Sequence, residues 1–460
     1  MSPGRAAALV GLLAAAPAAA GVRPRPGGEL RVLLPAAPAE LDPARAASPA
    51  DLVLARALHA TLLEVDAAGE LRPALAERVT ASPDGREVLV RLRAGLRFHD
   101  GSPVTAADVA ESLARLLRHG SHAWIASAVE GADAVRGGRA RSLAGARPLG
   151  ELEVAVSLSR PEPDFLRALA AAPAAVVHVG PGGLSGAGPF RLGERTADAI
   201  RLLPFEGHHR GRPWCDGAVL AWPDPAAAAR RLARGGADLL LRPEPVAGAA
   251  ARDGPPLLLA LAAVSPRLGA AAGPLRAAIA GVDRAELARL LRGPAIPLAA
   301  LLPQLAAAAP VAAPPPGPLP SRLALVVAAS LRPLAERLQV KLFDRGIRAA
   351  VEAVPDAALP ARLAAGAHDV ALLPVALASG APRLALAQLA QALGGDPLAP
   401  VEADAAAAAA RLEEALAAVP LAAAPLRAAA RPAVQGLAFS PDGGLDLADL
   451  WFLPDRRGAR

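Results

Sequence analysis

Polar and apolar residues alternate over residues 88–93, and apolar residues then recur at helical spacing over residues 109–117. The alternation predicts a strand with one buried face, and the helical spacing predicts a helix that packs through one side. A continuous apolar run at residues 257–264 predicts a strand that is buried on both faces. The chain is therefore expected to contain strands of two kinds and an amphipathic helix.

The residues between the first strand and this helix favour a tight turn. Residues 99–103 read His-Asp-Gly-Ser-Pro, in which Gly101 tolerates a positive φ and the proline fixes its own φ. Thr105 suits the position just before a helix, and Asp108 stands three residues later, as in a capping box. We therefore predict a strand, a turn and a capped helix in succession.

The second half of the chain alternates between strand and helix patterns. The predicted elements are strands at 322–327, 349–354 and 369–374 and helices at 331–345, 357–365 and 403–419. A further strand is predicted at 434–439. Strands that alternate with helices predict an α/β lobe.

Residues 1–20 have the pattern of a secretory signal. Arg5 supplies the positive charge, residues 6–16 form an apolar run, and three alanines at 18–20 suit cleavage. The apolar run is short for a membrane span. No cysteine follows it, so we predict no lipoprotein anchor. We expect a periplasmic protein, and an anchor that is not cleaved is the alternative.

Length and charge limit the broad class of protein. A chain of 460 residues exceeds what one hydrophobic core usually organises, so two or three domains are expected. The formal net charge is +6, but arginine is spread evenly and Lys341 is the only lysine. Nucleic-acid binding normally requires clustered positive charge, so we predict no nucleic-acid partner. The single cysteine, Cys215, excludes an intrachain disulfide.

The chain lacks the short motifs of common catalytic and metal sites. It has no CxxC, HExxH, Walker A or GxSxG pattern. His99 and Asp100 are adjacent turn residues, and turn chemistry alone explains them. His208 and His209 have no second pair of ligands, so a solvated turn is expected rather than a metal site. We therefore predict no enzyme activity, no catalytic residue, no metal and no cofactor.

Several ordered motifs together resemble the family 5 extracellular solute-binding proteins, the peptide- and nickel-binding components of ABC importers. These motifs are Leu-Asp-Pro at 41–43, Phe-His-Asp-Gly at 98–101, Thr-Ala-Ala-Asp-Val at 105–109, Ser-Leu-Ala-Arg at 112–115 and Gly-Ala-Gly-Pro-Phe-Arg-Leu at 186–192. The resemblance extends over residues 28–455. It implies an α/β, periplasmic-binding-protein-like two-lobed fold of type II with an additional N-terminal α+β domain.

The resemblance also implies a domain division and a mode of action. The expected divisions are lobe one at 28–49, 179–252 and 432–460, the extra domain at 50–178, and lobe two at 253–431. Chain crossings near residues 250 and 432 would form a hinge. A small-molecule or peptide ligand would favour lobe closure, and an ABC permease in the inner membrane would recognise the closed monomer.

The resemblance places the ligand-binding residues by position at Pro38, Glu40, Val375, Ala378 and Ser379. Peptide-binding relatives carry a tryptophan where this chain has Val375, and an aspartate that pairs with the peptide amine where it has Ala378. Because a buried ammonium needs a compensating charge, an oligopeptide held by its amine is not expected, and a less polar ligand fits better. A sensing or interaction protein without transport is the first alternative, and a secreted enzyme is the second.

Overall fold

The computed structural model describes residues 24–119, 122–242, 246, 249–291, 293–305, 317–393, 405–415 and 417–453. The predicted signal at 1–20 lies outside the described residues. The described helices are α1 (Pro49–Leu58), α2 (Ala106–His119), α3 (Ala132–Arg136), α4 (Phe165–Ala168), α5 (Pro225–Ala233), α6 (Ala272–Ala280), α7 (Arg284–Arg289), α8 (Arg332–Phe343), α9 (Leu359–Ala364), α10 (Pro382–Ala392) and α11 (Ala405–Ala415). In this part of the chain, no helix combines the length and apolar character needed to span a membrane.

The first sheet has seven strands drawn from distant parts of the chain. Their spatial order is Phe190–Arg195, Ala199–Pro204, Gly217–Ala221, Glu29–Leu33, Leu239–Leu241, Arg427–Ala430 and Ala250–Asp253. Glu29–Leu33 runs parallel to both of its neighbours, and the other pairs are antiparallel. Its central residues Leu30 and Val32 are fully buried, so this strand forms the middle of the first core.

The second sheet has six strands, all from the later half of the chain. Their spatial order is Ile296–Pro297, Ala418–Ala424, Leu258–Val264, Val370–Ala376, Arg322–Ala328 and Arg348–Val354. Arg322–Ala328 is parallel to both neighbours, and Leu258–Val264 is antiparallel to both of its own. Separate buried clusters line the two faces of this sheet. The α/β lobe predicted from the alternating pattern is therefore confirmed.

A third, smaller sheet packs with α2. Its antiparallel strands lie in the order Ala76–Ala81, Glu87–Leu92, Glu153–Ser157 and Ala146–Pro148. Short strand pairs elsewhere are Leu63–Val65 with Leu71–Pro73, His178–Gly180 with Gly183–Ser185, and Val434–Gln435 with Trp451–Phe452. Leu113 and Leu116 of α2 are buried in one cluster with Val88 and Val90 of the sheet. Both amphipathic patterns predicted from the sequence are thus used in one core.

The predicted strand, turn and capped helix are confirmed in detail. The Thr105 N–H and hydroxyl donate to Asp108 Oδ2 at 2.9 and 2.6 Å, and the Asp108 N–H donates to Thr105 Oγ1 at 3.4 Å. Gly101 has a φ of 88°, which only glycine adopts readily. The His99 N–H donates to the Gly186 carbonyl oxygen at 2.8 Å. His99 and Asp100 therefore belong to a structural turn, as predicted.

The Gly-Ala-Gly-Pro segment at 186–189 passes very close to the end of α1. A Cβ atom on Gly188 would lie 2.4 Å from the His59 backbone nitrogen. The Gly188 carbonyl oxygen also accepts a hydrogen bond of 3.0 Å from His99 Nε2. The glycine is required by this close approach, and the strand Phe190–Arg195 follows directly.

Two predicted elements near the C-terminus are present but end earlier than expected. The helix predicted over 403–419 is α11, which is described over Ala405–Ala415. Residues 403, 404 and 416 lie outside the described residues. Ala418–Ala424 is a strand, so the predicted end at 419 is wrong. The strand predicted at 434–439 is limited to Val434–Gln435. The strand Arg427–Ala430 was not predicted. Alanine has the highest helix propensity, so pairing between sheet strands has overridden local preference here.

The packing of individual elements bears on where domains divide. Val53 and Leu54 of α1 are buried with Leu30 and Phe190 of the first sheet, although the expected boundary assigns residue 50 onward to the extra domain. Arg427–Ala430 pairs in the first sheet, although the expected boundary at 431 groups it with lobe two. The domain division remains a prediction. The contacts of α1 favour a boundary later than residue 50, and the pairing of Arg427–Ala430 favours a return crossing before residue 427.

Candidate functional site

The chain passes twice between the first and the second sheet, and the two connections touch. One runs from Ala250–Asp253 to Leu258–Val264, and the other returns from Ala418–Ala424 to Arg427–Ala430. The Gly254 N–H, in the first connection, donates to the Leu426 carbonyl oxygen, in the second, at 2.9 Å. Short paired connections of this kind are suited to act as a hinge.

A cavity of about 40 Å³ lies beside these connections. Its walls include Leu52, Val53 and Arg56 of α1 and Leu445 near the C-terminus. Leu257 and Leu377, which adjoin the ends of two interior strands of the second sheet, complete this part of the wall. Of the described residues that line it, Arg56 alone carries a charge, and the others are Pro, Leu, Val, Ala and Gly. The cavity is therefore apolar with one cationic group.

Helix α1, which carries Arg56, is fixed at its start by a buried carboxylate. The Ser48 side chain caps the helix, and Asp51 completes the capping box. Asp51 Oδ1 accepts hydrogen bonds from the N–H groups of Ala39 and Glu40 at 2.7 and 3.1 Å, and Oδ2 accepts from Ser48 at 3.0 Å. One side chain thus joins the loop after the first strand to α1.

Arg56 lies in the last turn of α1, partly buried against the backbone of Gly444. A Cβ atom on Gly444 would lie 2.5 Å from Arg56 Cζ, so the glycine leaves the space that the guanidinium occupies. Burial lowers the pKa of Arg56, and the charges of Asp446, Asp442 and Glu64 act in the opposite direction. Over the described ranges, the guanidinium makes no hydrogen bond.

Asp442 joins three distant parts of the chain near the same place. Its Oδ1 accepts a hydrogen bond from the Gly380 N–H at 3.0 Å and one from Ser379 Oγ at 3.4 Å. Its Oδ2 lies 3.4 Å from Nη1 of Arg167, whose Nη2 donates to the Gly69 carbonyl oxygen at 2.7 Å. The loop after the strand Val370–Ala376, the C-terminal segment and the N-terminal region are therefore linked without a ligand.

Three of the predicted site residues, Val375, Ala378 and Ser379, flank in sequence two residues that line this cavity. Their neighbours Ala376 and Leu377 line it. Ala378 is 4% exposed, and its N–H donates to Gln388 Oε1 at 2.8 Å. Val375 packs in the same buried cluster as Leu257, and Ser379 bonds to Asp442. Their role in ligand binding stays a prediction.

The other two predicted residues belong to the loop that Asp51 fixes. Pro38 is buried, and Glu40 forms an ion pair with Arg45 at 3.0 Å. Neither lines the cavity at the connections. Their ligand role also stays a prediction, and the Arg45 pair already satisfies the Glu40 carboxylate in part.

A second cavity of about 50 Å³ lies on another side of Arg56 and is lined by His59, His208 and His209. The expected solvated turn at 208–209 is wrong, because His208 is 6% exposed and the His209 side chain 6%. His209 Nε2 lies 3.0 Å from Glu64 Oε1. Burial lowers the pKa of His208 to about 3 and that of His59 to about 4. Both imidazoles are neutral at pH 7.

No metal-binding arrangement is formed there. Across the described parts of the chain, no group of three or more His, Cys, Asp or Glu residues is placed to hold a metal ion. The Nδ1 atoms of His59, His208 and His209 have no hydrogen-bond partner. Since a water occupies roughly 10–15 Å³ by this measure, the cavity has room for a few waters that could satisfy them.

Sequence reasoning missed Arg56, Arg167 and Asp442. Arg56 could have been noticed as a charge on the apolar side of α1, where Ala50, Val53 and Leu54 are buried. Asp442 stands in a Pro-Asp-Gly-Gly turn, which gives no sign of a partner 275 residues away. The sequence therefore contains a sign of the role of Arg56, but none of the roles of Arg167 and Asp442.

Comparison with known proteins gives matches at the level of family and fold. The family model for bacterial extracellular solute-binding proteins, family 5 middle region, matches residues 70–266. The chain is 29% identical over 201 residues to di/tripeptide-binding protein 4 of Pseudomonas aeruginosa strain UCBPP-PA14, covering 38% of this chain and 37% of the relative. It is 29% identical over 272 residues to di/tripeptide-binding protein 2 of that strain, covering 54% and 51%. The chain thus spans about half, or less, of the length of these relatives.

The structure is also similar to a solved binding protein over nearly its whole length. The Escherichia coli murein tripeptide binding protein MppA aligns with a TM-score of 0.79 and 20% identity, covering 92% of this chain and 98% of that one. At this identity the similarity establishes the fold. The predicted two-lobed type II fold with an additional N-terminal domain is confirmed.

Proposed function

This chain belongs to the family 5 extracellular solute-binding proteins, and we propose that it is the periplasmic substrate-binding component of an ABC importer. It captures a small ligand between its two lobes and delivers it to a permease in the inner membrane. The signal-like pattern of residues 1–20 supports export to the periplasm. Its role is binding rather than catalysis.

The observation that carries this proposal is the pair of touching connections between the sheets, with a cavity beside them. A ligand in that cavity contacts α1, which packs on the first sheet, and the residues that begin and end strands of the second sheet. Such a ligand binds the closed arrangement better than an open one, and this difference in affinity drives closure. The permease then distinguishes loaded from empty protein by its shape.

The ligand is peptide-like or a compound of similar size. The curated relatives are named for di- and tripeptides, which supports a short peptide over a long one. Ala378 supplies no carboxylate to a peptide amine, and it is buried with its N–H bonded to Gln388. The amine is therefore not the group that fixes the ligand.

A ligand screen with a conformational measurement tests the proposal. The exported protein is heated with di- and tripeptides, N-acylated amino acids, nickel chelates and small sugars. A ligand at one hundred times its dissociation constant adds about 2.7 kcal/mol to the free energy of unfolding. Small-angle scattering of the same samples should show a smaller radius of gyration for the hit alone. A hit that leaves the scattering unchanged contradicts lobe closure.

One contact favours the alternative of a sensing or interaction protein without transport. The links from Asp442 to Gly380 and Arg167 already join the lobes with no ligand present. In that case every compound in the screen leaves both the melting temperature and the radius of gyration unchanged. The transport proposal is then rejected.

A further inference from the structure

We propose that the ligand is recognised by a carboxylate, which binds the Arg56 guanidinium in the cavity at the connections between the lobes. This inference rests on the proposed function and names the chemical class of its ligand. The rest of the ligand next to the carboxylate is apolar, and a free amine is not required.

The first argument is the unused hydrogen-bonding capacity of Arg56. A guanidinium has five N–H donors in a planar fork. Arg56 is partly buried against Gly444, yet it makes no hydrogen bond within the described residues. A carboxylate fits the fork through two parallel hydrogen bonds, which are among the stronger contacts in proteins.

The second argument is that the neighbouring acids are engaged elsewhere. Asp442 accepts from Gly380 and pairs with Arg167. Asp446 pairs with Arg210. These carboxylates act on Arg56 through charge without bonding to it. They stabilise its positive charge and leave its donors available.

Glu64, the remaining acid near Arg56, is also occupied. Its Oε1 lies 3.0 Å from His209 Nε2, and its Oε2 lies 3.9 Å from Arg210 Nη1. Glu64 lines the histidine cavity and does not line the cavity at the connections. An anion in the cavity at the connections therefore meets the guanidinium with no carboxylate in the wall.

The third argument is the composition of the wall. Leu52, Val53, Leu257, Leu377 and Leu445 surround the one cation. An apolar wall excludes water, which strengthens a charge-assisted hydrogen bond. It provides no carboxylate for an ammonium, which would be repelled by Arg56. The volume of about 40 Å³ has room for roughly three water-sized groups. A carboxylate with its adjoining carbon fits this space.

The test compares ligands that differ in one charged end. Isothermal titration calorimetry is run with the dipeptide Ala-Leu, N-acetyl-Ala-Leu, Ala-Leu amide and hexanoate. We expect the first two to bind with dissociation constants within about threefold of each other. The amide should bind at least tenfold more weakly, as expected when a charge-assisted hydrogen bond is lost.

Variants then connect this preference to Arg56. In Arg56→Gln, the acid and the amide should bind with equal dissociation constants. The control Arg136→Gln removes a surface ion pair with Asp133, and it should keep the wild-type ratio of the two dissociation constants. Gly444→Ala is a second variant, and it leaves the charge of Arg56 in place. The added Cβ would displace the guanidinium from its position beside residue 444. It should also remove the preference for the acid, so the test remains informative if Arg56→Gln does not fold.

Each result distinguishes this inference from the proposed function. An amide that binds the wild type as well as the acid overturns the carboxylate inference and leaves the binding-protein proposal intact. Retention of the acid preference in Arg56→Gln overturns it as well. Binding of hexanoate without any peptide supports the carboxylate and rejects a peptide ligand. If none of the four compounds binds, the carboxylate inference fails, and the broader screen alone decides the proposed function.

Discussion

Asp442 Oδ1 accepts a hydrogen bond of 3.0 Å from the backbone N–H of Gly380, so the C-terminal segment is fixed to the loop that follows the strand Val370–Ala376. The approach is close, because a Cβ on Gly380 would lie 2.9 Å from the Pro441 carbonyl oxygen. Arg167 adds an ion pair to the other oxygen of the same carboxylate. This cluster stabilises one relative position of the lobes.

Asp442→Asn should therefore shift the protein towards a more open form. The substitution removes the charge that pairs with the partly buried Arg167, and we expect the free energy of unfolding to fall by about 2 kcal/mol. Urea denaturation measures the loss, and small-angle scattering should show a larger radius of gyration without ligand. The exposed control Asp133→Asn should change stability by less than about 1 kcal/mol. Equal effects of the two variants would contradict a linking role for Asp442.

His122 should make stability depend on pH. Its Nε2 donates to the Ala46 carbonyl oxygen at 2.6 Å, and its Nδ1 accepts from Trp124 Nε1 at 3.3 Å, so the neutral ring is fully bonded. Burial lowers its pKa to about 4. A group with a lowered basic pKa contributes stability that is complete above the unfolded pKa, roughly 6.5, and is lost as the pH falls towards 4.

We expect this loss to be about 2 to 3 kcal/mol between pH 7 and pH 4.5. Glutamine does not titrate in this range. Between pH 7 and pH 4.5, the free energy of unfolding of His122→Gln should therefore fall less than that of the wild type, by the same amount. Urea denaturation at both pH values measures the difference. Because His59 and His208 also have lowered pKa values, some loss will remain in the variant. An identical loss in both proteins would show that His122 is not held neutral.

Asp51→Ala should destabilise the start of α1 and the loop after the first strand together. The buried carboxylate accepts four backbone N–H groups, from Ala39, Glu40, Ala47 and Ser48. Leaving these donors unsatisfied should cost about 3 kcal/mol, measured by urea denaturation. Asp224→Ala at the exposed start of α5 should cost only about 1 kcal/mol. A cost for Asp51→Ala no larger than this control would show that the loop is not fixed through Asp51.

Gly188→Ala should be severely destabilising because the added methyl group meets backbone atoms. Its Cβ would lie 2.4 Å from the nitrogen of His59, and backbone cannot move aside as a side chain can. We expect a loss of at least about 3 kcal/mol, or failure to accumulate folded protein. Gly182→Ala is the matched control, since its Cβ would have no atom within 4 Å. A Gly188→Ala protein with a normal melting temperature would contradict the close approach.

Local patterns predicted the elements whose reasons lie within a few residues. The capping box of Thr105 and Asp108 needs only the residues it contains, and it forms as predicted. The strand Arg322–Ala328 and the helix α8 start within a residue of their expected positions. Their apolar periodicity is unambiguous because leucine and valine mark the buried side.

The strand Ala418–Ala424 could not be predicted in this way. Its sequence is mostly alanine, which favours helix locally, and Pro420 argues against a central strand. The register with Leu258–Val264 shifts at Leu261, which pairs with Pro420, so an irregularity in the ladder accommodates the proline. Only the neighbouring strands on both sides make this segment extended.

The residues of the candidate site could not be predicted from the sequence, for a related reason. Arg167, Ser379 and Asp442 meet through the fold, and no spacing in the sequence relates them. The family resemblance led to Ala378 and Ser379, beside the residues that line the cavity. It did not lead to Arg56, because a charge in the last turn of a helix is ordinarily explained by the helix dipole.

The place of Arg427–Ala430 in the first sheet also determines when that sheet can form during synthesis. Leu239–Leu241 and Ala250–Asp253 both pair with this strand, which leaves the ribosome almost two hundred residues after them. Among the described strands, Ala250–Asp253 has no other partner in the sheet. Pairings this distant in sequence form slowly, so the first sheet is completed only late in translation. A chain whose first sheet is still incomplete suits threading through a membrane pore, as the export proposed above requires.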